Sequence, residues 1–159
     1  MASLMFGLTA KDLWPTTVNL CIPAWALMMF APRWRYTPMF TLVPAILHAV
    51  LYTIGIASVI ISKDVPEANF MTFEGISTLF KDPNFVYLGW IHYSFSDLLL
   101  GRWILGDALA HGSTLEFHVL VMIPVLGLAM MLSPVGWLVY VALVKPLLTG
   151  KGTTKVKSG

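Results

Sequence analysis

Residues 41–61 decide the fold class: they read TLVPAILHAVLYTIGIASVII, and none of them is charged. A helix of roughly 20 apolar residues crosses the ~30 Å hydrocarbon core of a bilayer, so this stretch is typical of a membrane span. Pro44 falls in the first turn, where its missing N–H breaks no helical hydrogen bond. His48 and Tyr52 are four residues apart and share one face, which we expect to contact other helices.

The composition of the whole chain also indicates that the protein is embedded in a lipid bilayer. Of the 159 residues, 57% are hydrophobic and 11% are charged, a balance that a soluble domain does not tolerate. The sequence therefore predicts an all-α integral membrane protein with about four transmembrane helices in a single membrane domain, residues 1–148. The expected spans are 13–31, 41–61, 84–105 and 118–144, and residues 149–159 are expected to form a polar, mobile C-terminal tail.

Two segments depart from a simple span. Within the charged connection 62–83, Phe70, Phe73, Ile76 and Phe80 recur at helical intervals, which predicts a short interfacial amphipathic helix inside 68–81. The last apolar stretch, 118–144, is about 40 Å long as a straight helix and contains two prolines. We expect one tilted or kinked span there rather than two crossings.

The charges bear on orientation and partners. Four spans place both termini and the 62–83 connection on one side, opposite Arg33, Arg35 and Arg102, and the lysines on the first side favour cytoplasmic or stromal termini. The formal net charge is only +2, and the basic residues form no stripe with interleaved aromatics. Membrane lipids are therefore the expected partner, and nucleic acid is not.

The third span carries the polar residues that point to function. Residues 85–103 read FVYLGWIHYSFSDLLLGRW, and a carboxylate near the middle of a span costs roughly 2.5–3.5 kcal/mol. Such residues usually mark a site or a pairing, so His92, Asp97 and Arg102 are the candidate catalytic residues. His92 and Asp97 lie about 140° apart around the helix, and each needs partners from another helix. Arg102 is expected either to pair with a carboxylate such as Asp107 or to reach the headgroups.

Purely structural roles are the alternative for these polar residues. Asp97 fits a structural pairing as well as a catalytic role, and His48 fits a hydrogen-bonded core histidine better than a ligand. As ligands, His48 and His92 would hold chlorophyll magnesium, whereas aromatic side chains would pack against a carotenoid. The candidate pigment-binding residues are therefore His48, Trp90, Tyr93 and Trp103. No motif supports a metal site.

A family resemblance adds to this interpretation. The residues that carry it are Gly89-Trp90-Ile91-His92-Tyr93, Asp97, Gly101-Arg102-Trp103, Asp107, Ser133-Pro134-Val135-Gly136 and Tyr140. With Asn19, Pro23 and Trp25, the Pro32-Arg33-Trp34 turn and Leu79-Phe80-Lys81-Asp82-Pro83, they resemble the abscisic-acid-deficient-four family over most of the chain. That family is linked to neoxanthin formation in plants.

The resemblance implies a role in xanthophyll metabolism, in which violaxanthin is isomerised to the allenic neoxanthin without net oxidation. Such a reaction asks for an acid at the epoxide oxygen and a base at a carbon-bound proton, which assigns Asp97 as acid and His92 as base. The bound pigment would be a carotenoid, no other cofactor is required, and catalyst and assisting factor stay open. The expected location is a plastid membrane, thylakoid or envelope, or a photosynthetic bacterial membrane.

A different class of function competes with this one. A small pigment-binding or scaffold subunit, bound to a photosystem or light-harvesting complex and holding carotenoid and chlorophyll, would also need membrane spans, histidines and aromatic side chains. A transporter ranks last, because the chain shows no internal repeat.

Overall fold

Helices make up all the regular structure that a computed structural model of the chain describes, which covers residues 4–62 and 70–150. An isolated bridge between Met5 and Leu8 is the exception within these ranges. The helices are α1 (Ala10–Phe30), α2 (Thr37–Ser62), α3 (Phe73–Leu79), α4 (Pro83–Ala110), α5 (Leu115–Met131) and α6 (Ser133–Gly150). The all-α prediction is confirmed.

Three of the described helices are long and apolar enough to cross a membrane: α1, α2 and α6. The α5 helix is apolar but shorter. The 28-residue α4 helix has the length, but it carries Asp97, Arg102 and Asp107 and is not among the three. The membrane character of the chain is thus confirmed, while the count of four spans stays a prediction.

The α3 helix lies within the predicted interfacial segment. The side chain of Thr72 caps its N-terminus by accepting a hydrogen bond from the N–H of Gly75. Leu79 is buried, whereas the side chain of Phe73 is exposed. Placement of this helix at a membrane surface stays a prediction. Residues 63–69 of the connection and residues 151–159 of the expected mobile tail lie outside the described ranges.

The chain divides into two compact units. Met1–Ile22 and Val43–Ser96 form unit 1, and Pro23–Leu42 and Asp97–Gly159 form unit 2. In unit 1, Gly55 allows α2 and α4 to approach closely, because a Cβ at this position would overlap the side chain of Leu88. The buried side chains around this contact are Leu4, Met5, Ala10, Val59, Tyr87, Leu88 and Ile91.

Unit 2 contains a helical hairpin made of α5 and α6. Leu132, between them, has a non-helical backbone (φ −143°, ψ 69°). A Cβ on Gly136 would lie 2.5 Å from the Cα of Ala129, although residues seven apart on a straight helix are about 10 Å apart. The chain therefore folds back on itself at Leu132, so residues 118–144 form parts of two helices rather than one kinked helix, and how often this stretch crosses the membrane stays a prediction. The motif Ser133-Pro134 begins a new helix.

The hairpin returns alongside the second half of α4. Asp97 lies within hydrogen-bonding reach of Ser133, at the start of α6, and Asp107 contacts Tyr140 and Lys145 further along it. The two helices thus run in the same direction, and the end of α6 lies beside the C-terminal end of α4. Lys145 therefore lies at the same end of unit 2 as Arg102, rather than on the opposite side as the four-span arrangement predicted.

Each helix of the hairpin contains a wide turn of π-helix. These turns cover His118–Met122 in α5 and Tyr140–Val144 in α6, and each begins at a buried polar side chain. Short π-helical turns within α-helices are frequent at functional sites.

Candidate functional site

His48 is enclosed in the core of unit 1. Its Nδ1 lies 2.7 Å from the carbonyl oxygen of Pro44, and its Nε2 lies 3.1 Å from the carbonyl oxygen of Thr17 and 3.4 Å from Sγ of Cys21. The side chain is fully buried, and both ring nitrogens have neighbours. This arrangement is that of a packed core histidine. Ligation of chlorophyll by His48 stays an untested prediction that would require one of these contacts to break.

His92 lies on an exposed aromatic face of unit 1. Its ring centroid is 5.5 Å from that of Tyr52 and 6.2 Å from that of Tyr93. Trp90, on the same helix, packs against Trp14 with 4.9 Å between ring centroids. The predicted residues His92, Trp90 and Tyr93 are all exposed, so they are available to a ligand that approaches from lipid.

Asp97 belongs to unit 2, where its carboxylate contacts the hydroxyl of Ser133. Ser133 is the first residue of α6, so the carboxylate lies at a helix N-terminus, where the macrodipole favours negative charge. This geometry provides the structural pairing expected as one of the two roles of Asp97. Its catalytic role stays a prediction, and His92, in unit 1, has different partners.

Arg102 is bonded to the start of α2. Its guanidinium donates to the carbonyl oxygen of Pro38 and to the hydroxyl of Thr41, in the first turns of that helix. Of the two alternatives expected for Arg102, pairing with Asp107 is therefore wrong, because Asp107 has other partners, and contact with headgroups stays a prediction. Both contacts join α4 to the first turns of α2 and so hold these two helices together.

The most connected polar cluster in unit 2 was not identified as a site from the sequence. Asp107 accepts a hydrogen bond of 2.5 Å from the Tyr140 hydroxyl and one of 3.0 Å from the Lys145 ammonium. The Trp103 ring packs edge-on against Tyr140, 5.8 Å between centroids, and Lys145 lies 5.6 Å from the centre of the Trp103 ring. The sequence does show an acid, Asp107, near the end of one apolar stretch and a lysine, Lys145, near the end of another. Their pairing could not be predicted from this pattern, because it depends on the hairpin.

Arginines and aromatic rings lie at the same end of unit 2 as this cluster, and we expect a membrane boundary there. Arg33 donates to the carbonyl oxygen of Ser113, in the turn between α4 and α5. Trp34 stacks on Phe40, with 5.5 Å between centroids, and Arg35 lies over the ring of Tyr36. Tryptophan, tyrosine and arginine are typical of the headgroup level.

His118 is buried in unit 2. Its Nε2 lies 2.9 Å from the carbonyl oxygen of Met29, to which it donates. This bond joins α5 to the last turn of α1 and gives the histidine a packing role.

A cavity of about 300 Å³ lies in unit 1. Polar groups of Ser58, Asp82 and Asn84 and apolar groups of Val59 and Phe85 line it. None of the site residues predicted from the sequence lines this cavity, and the Asp82 carboxylate is engaged by the N–H of Asn84 at 2.7 Å.

Comparison with known proteins gives one result. A family model described as ABA DEFICIENT 4-like matches residues 13–140. No curated protein and no solved structure matches the chain.

Proposed function

Because this chain belongs to the ABA DEFICIENT 4-like family, we propose that it acts in xanthophyll metabolism as a membrane isomerase that converts violaxanthin to neoxanthin. The match over 128 positions, residues 13–140, is the observation that carries the proposal. The three helices apolar enough to cross a membrane support it, since both carotenoids dissolve in lipid. The resemblance noted in the sequence supplies the link to neoxanthin.

The proposed setting is a plastid membrane or the membrane of a photosynthetic bacterium. In the proposed setting α1, α2, α4 and the α5–α6 hairpin lie in the bilayer and α3 lies at its surface. The side chains of Trp90, Tyr93 and Trp103 are exposed on α4 and would pack against a polyene. Carotenoid is the one pigment that the proposed reaction needs.

The reaction requires proton transfer and no net redox change. An acid protonates the epoxide oxygen, and a base removes a proton from the adjacent chain carbon. The assignment made from the sequence gives these roles to Asp97 and His92, with Arg102 as an assisting charge. Asp97 keeps its contact with Ser133 in this assignment, and His92 faces Tyr52.

The experiment is conversion of violaxanthin by the purified protein in lipid nanodiscs, followed by chromatography of the extracted pigments. We expect neoxanthin to form with this protein alone. Pigment that copurifies without conversion would indicate a pigment-binding subunit, and conversion that requires a second protein would indicate an assisting factor. Either result would overturn the isomerase proposal.

Two variants test the sequence-based assignment in the same assay. Asp97→Asn keeps a polar side chain near Ser133 but cannot transfer a proton, and His92→Ala removes the base. If they are acid and base, each variant lowers the rate at least about 100-fold. Asp12→Asn is the matched control, because Asp12 is exposed and bonded to Thr9. Normal rates in both variants would remove Asp97 and His92 from the mechanism.

A further inference from the structure

Lys145 and Asp107 form an ion pair that has the geometry of an acid and a base held side by side. Nζ of Lys145 lies 3.0 Å from Oδ1 of Asp107. The other carboxylate oxygen accepts the 2.5 Å hydrogen bond from Tyr140, which fixes the orientation of the carboxylate. The three residues come from α4 and α6, so the site exists only because the hairpin returns beside α4.

From this geometry we propose that Lys145 and Asp107 are the catalytic acid and base of the isomerisation, with Tyr140 as a positioning residue. The proposal rests on the proposed function. It assigns the chemistry to a different place from the Asp97 and His92 assignment, and the two are separated by experiment.

The position of the pair along α4 suits the substrate. A xanthophyll keeps its ring hydroxyls at the membrane surfaces, and the epoxide is on the same ring, so the bonds that change lie near the boundary. Asp107 is three residues from the end of α4 at Ala110, about 4.5 Å along the axis. Asp97 is ten residues deeper, about 15 Å, at a level where the polyene would lie.

A ligand can reach the two charged groups of the pair but not the phenol that positions them. The side chain of Lys145 is 34% exposed and that of Asp107 is 17% exposed, whereas Tyr140 is fully buried. A ligand can therefore touch the ammonium and the carboxylate but not the phenol. The half-exposed ring of Trp103 lies beside the ammonium and provides an apolar surface for the carotenoid end group.

The proposed step balances without an oxidant or a second substrate. The carboxylate of Asp107 removes the proton from the chain carbon next to the ring. The electron pair of that C–H bond forms a double bond between this chain carbon and the ring carbon, in addition to the double bond that the chain carbon already has. The bond from that ring carbon to the epoxide oxygen breaks, and the oxygen takes a proton from the Lys145 ammonium. The products are an allene and a hydroxyl group, which together have the atoms of the substrate.

The direct contact between the pair restores the starting state. After the step Asp107 carries a proton and Lys145 has lost one, and a 3.0 Å contact lets that proton return from oxygen to nitrogen. No water or further residue is needed to complete the cycle.

The decisive variant is Lys145→Arg, assayed in nanodiscs with violaxanthin. Arginine preserves the charge and the pairing with Asp107, but its guanidinium does not release a proton. We expect a rate loss of about 100-fold or more, with unchanged protein yield and unchanged retention of violaxanthin during purification. Lys11→Arg, an exposed position on α1, is the matched control and keeps the full rate.

Two further variants test the roles proposed for the other two residues. Asp107→Asn loses the base and is expected to abolish conversion, while Tyr140→Phe keeps the packing against Trp103 and is expected to lower kcat more than it raises KM. Conversion at the normal rate by Lys145→Arg would show that the pair is only structural and would overturn the proposal. Absence of conversion by the unaltered protein would instead overturn the proposed function.

Discussion

The two carboxylates in the second half of α4 occupy different surroundings. Asp97 faces a single neutral hydroxyl, that of Ser133, at the turn of the hairpin. Asp107 accepts from a phenol and an ammonium near the end of the same helix. Deep in a bilayer a carboxylate without a cation is costly, whereas near the boundary a paired charge is tolerated. The comparison favours a structural role for Asp97 at the hairpin turn and is consistent with the catalytic role that we propose for Asp107.

The strongest test of this comparison is to determine on which side of the membrane the C-terminus lies. The hairpin places the end of α6 at the same end of unit 2 as the turn that holds Arg33 and Arg35, because both lie near the C-terminal end of α4. The lysines of the tail follow in the sequence, so the positive-inside rule favours this side as cytoplasmic or stromal. We expect the variants Trp34→Cys and Ser158→Cys, each of which adds one cysteine to the native Cys21, to react at the added cysteine with a membrane-impermeant maleimide from the same side of sealed vesicles.

The native Cys21 supplies the background for that experiment, since it is present in every variant. Labelling of Ser158→Cys and Trp34→Cys from opposite sides would mean that residues 118–144 cross the bilayer once. The ion pair between Asp107 and Lys145 would then be impossible.

A close backbone contact gives the next largest expected effect. Gly136→Ala puts a methyl group 2.5 Å from the Cα of Ala129, and overpacking against backbone costs about 2–3 kcal/mol of unfolding free energy. Gly127→Ala is the matched control, because nothing lies within 4 Å of its added carbon, and helix propensity stabilises it by up to ~1 kcal/mol. Both are measured by unfolding in mixed micelles of increasing sodium dodecyl sulfate content. Equal stability of the two variants would contradict the hairpin.

Much of the fold was predictable from the sequence, because apolar length alone identifies α1 and α2. The hairpin was not predictable, since Ser133-Pro134 is compatible with a kink as well as with a reversal. The contact between Gly136 and Ala129, which decides between them, depends on packing.

Prediction of the site had the same limit. The cost of a charge inside a membrane correctly marked Asp97 as needing a partner, but not which one. Pairing with Asp107 was one of two alternatives for Arg102, and it is wrong, since spacing along one helix does not reveal that α2 begins beside Arg102. The pairing of Asp107 with Lys145 requires a chain reversal 25 residues after Asp107, at Leu132, which no local pattern indicates.

The smallest expected effect, and the sharpest for the comparison, is the coupling energy between Asp97 and Ser133. A double-mutant cycle with Asp97→Leu and Ser133→Ala isolates it from the packing of each side chain. Hydrogen bonds between membrane helices average about 0.6 kcal/mol, and we expect a value of that size here. The same cycle with Asp107→Leu and Tyr140→Phe is the reference, where the charged acceptor and the 2.5 Å distance predict about 1.5–3 kcal/mol. Both cycles are read from unfolding in mixed micelles, where the relative order matters more than either value. If the Asp97 coupling is the larger of the two, the deep carboxylate is charged and strongly held, and the roles of Asp97 and Asp107 have to be reversed.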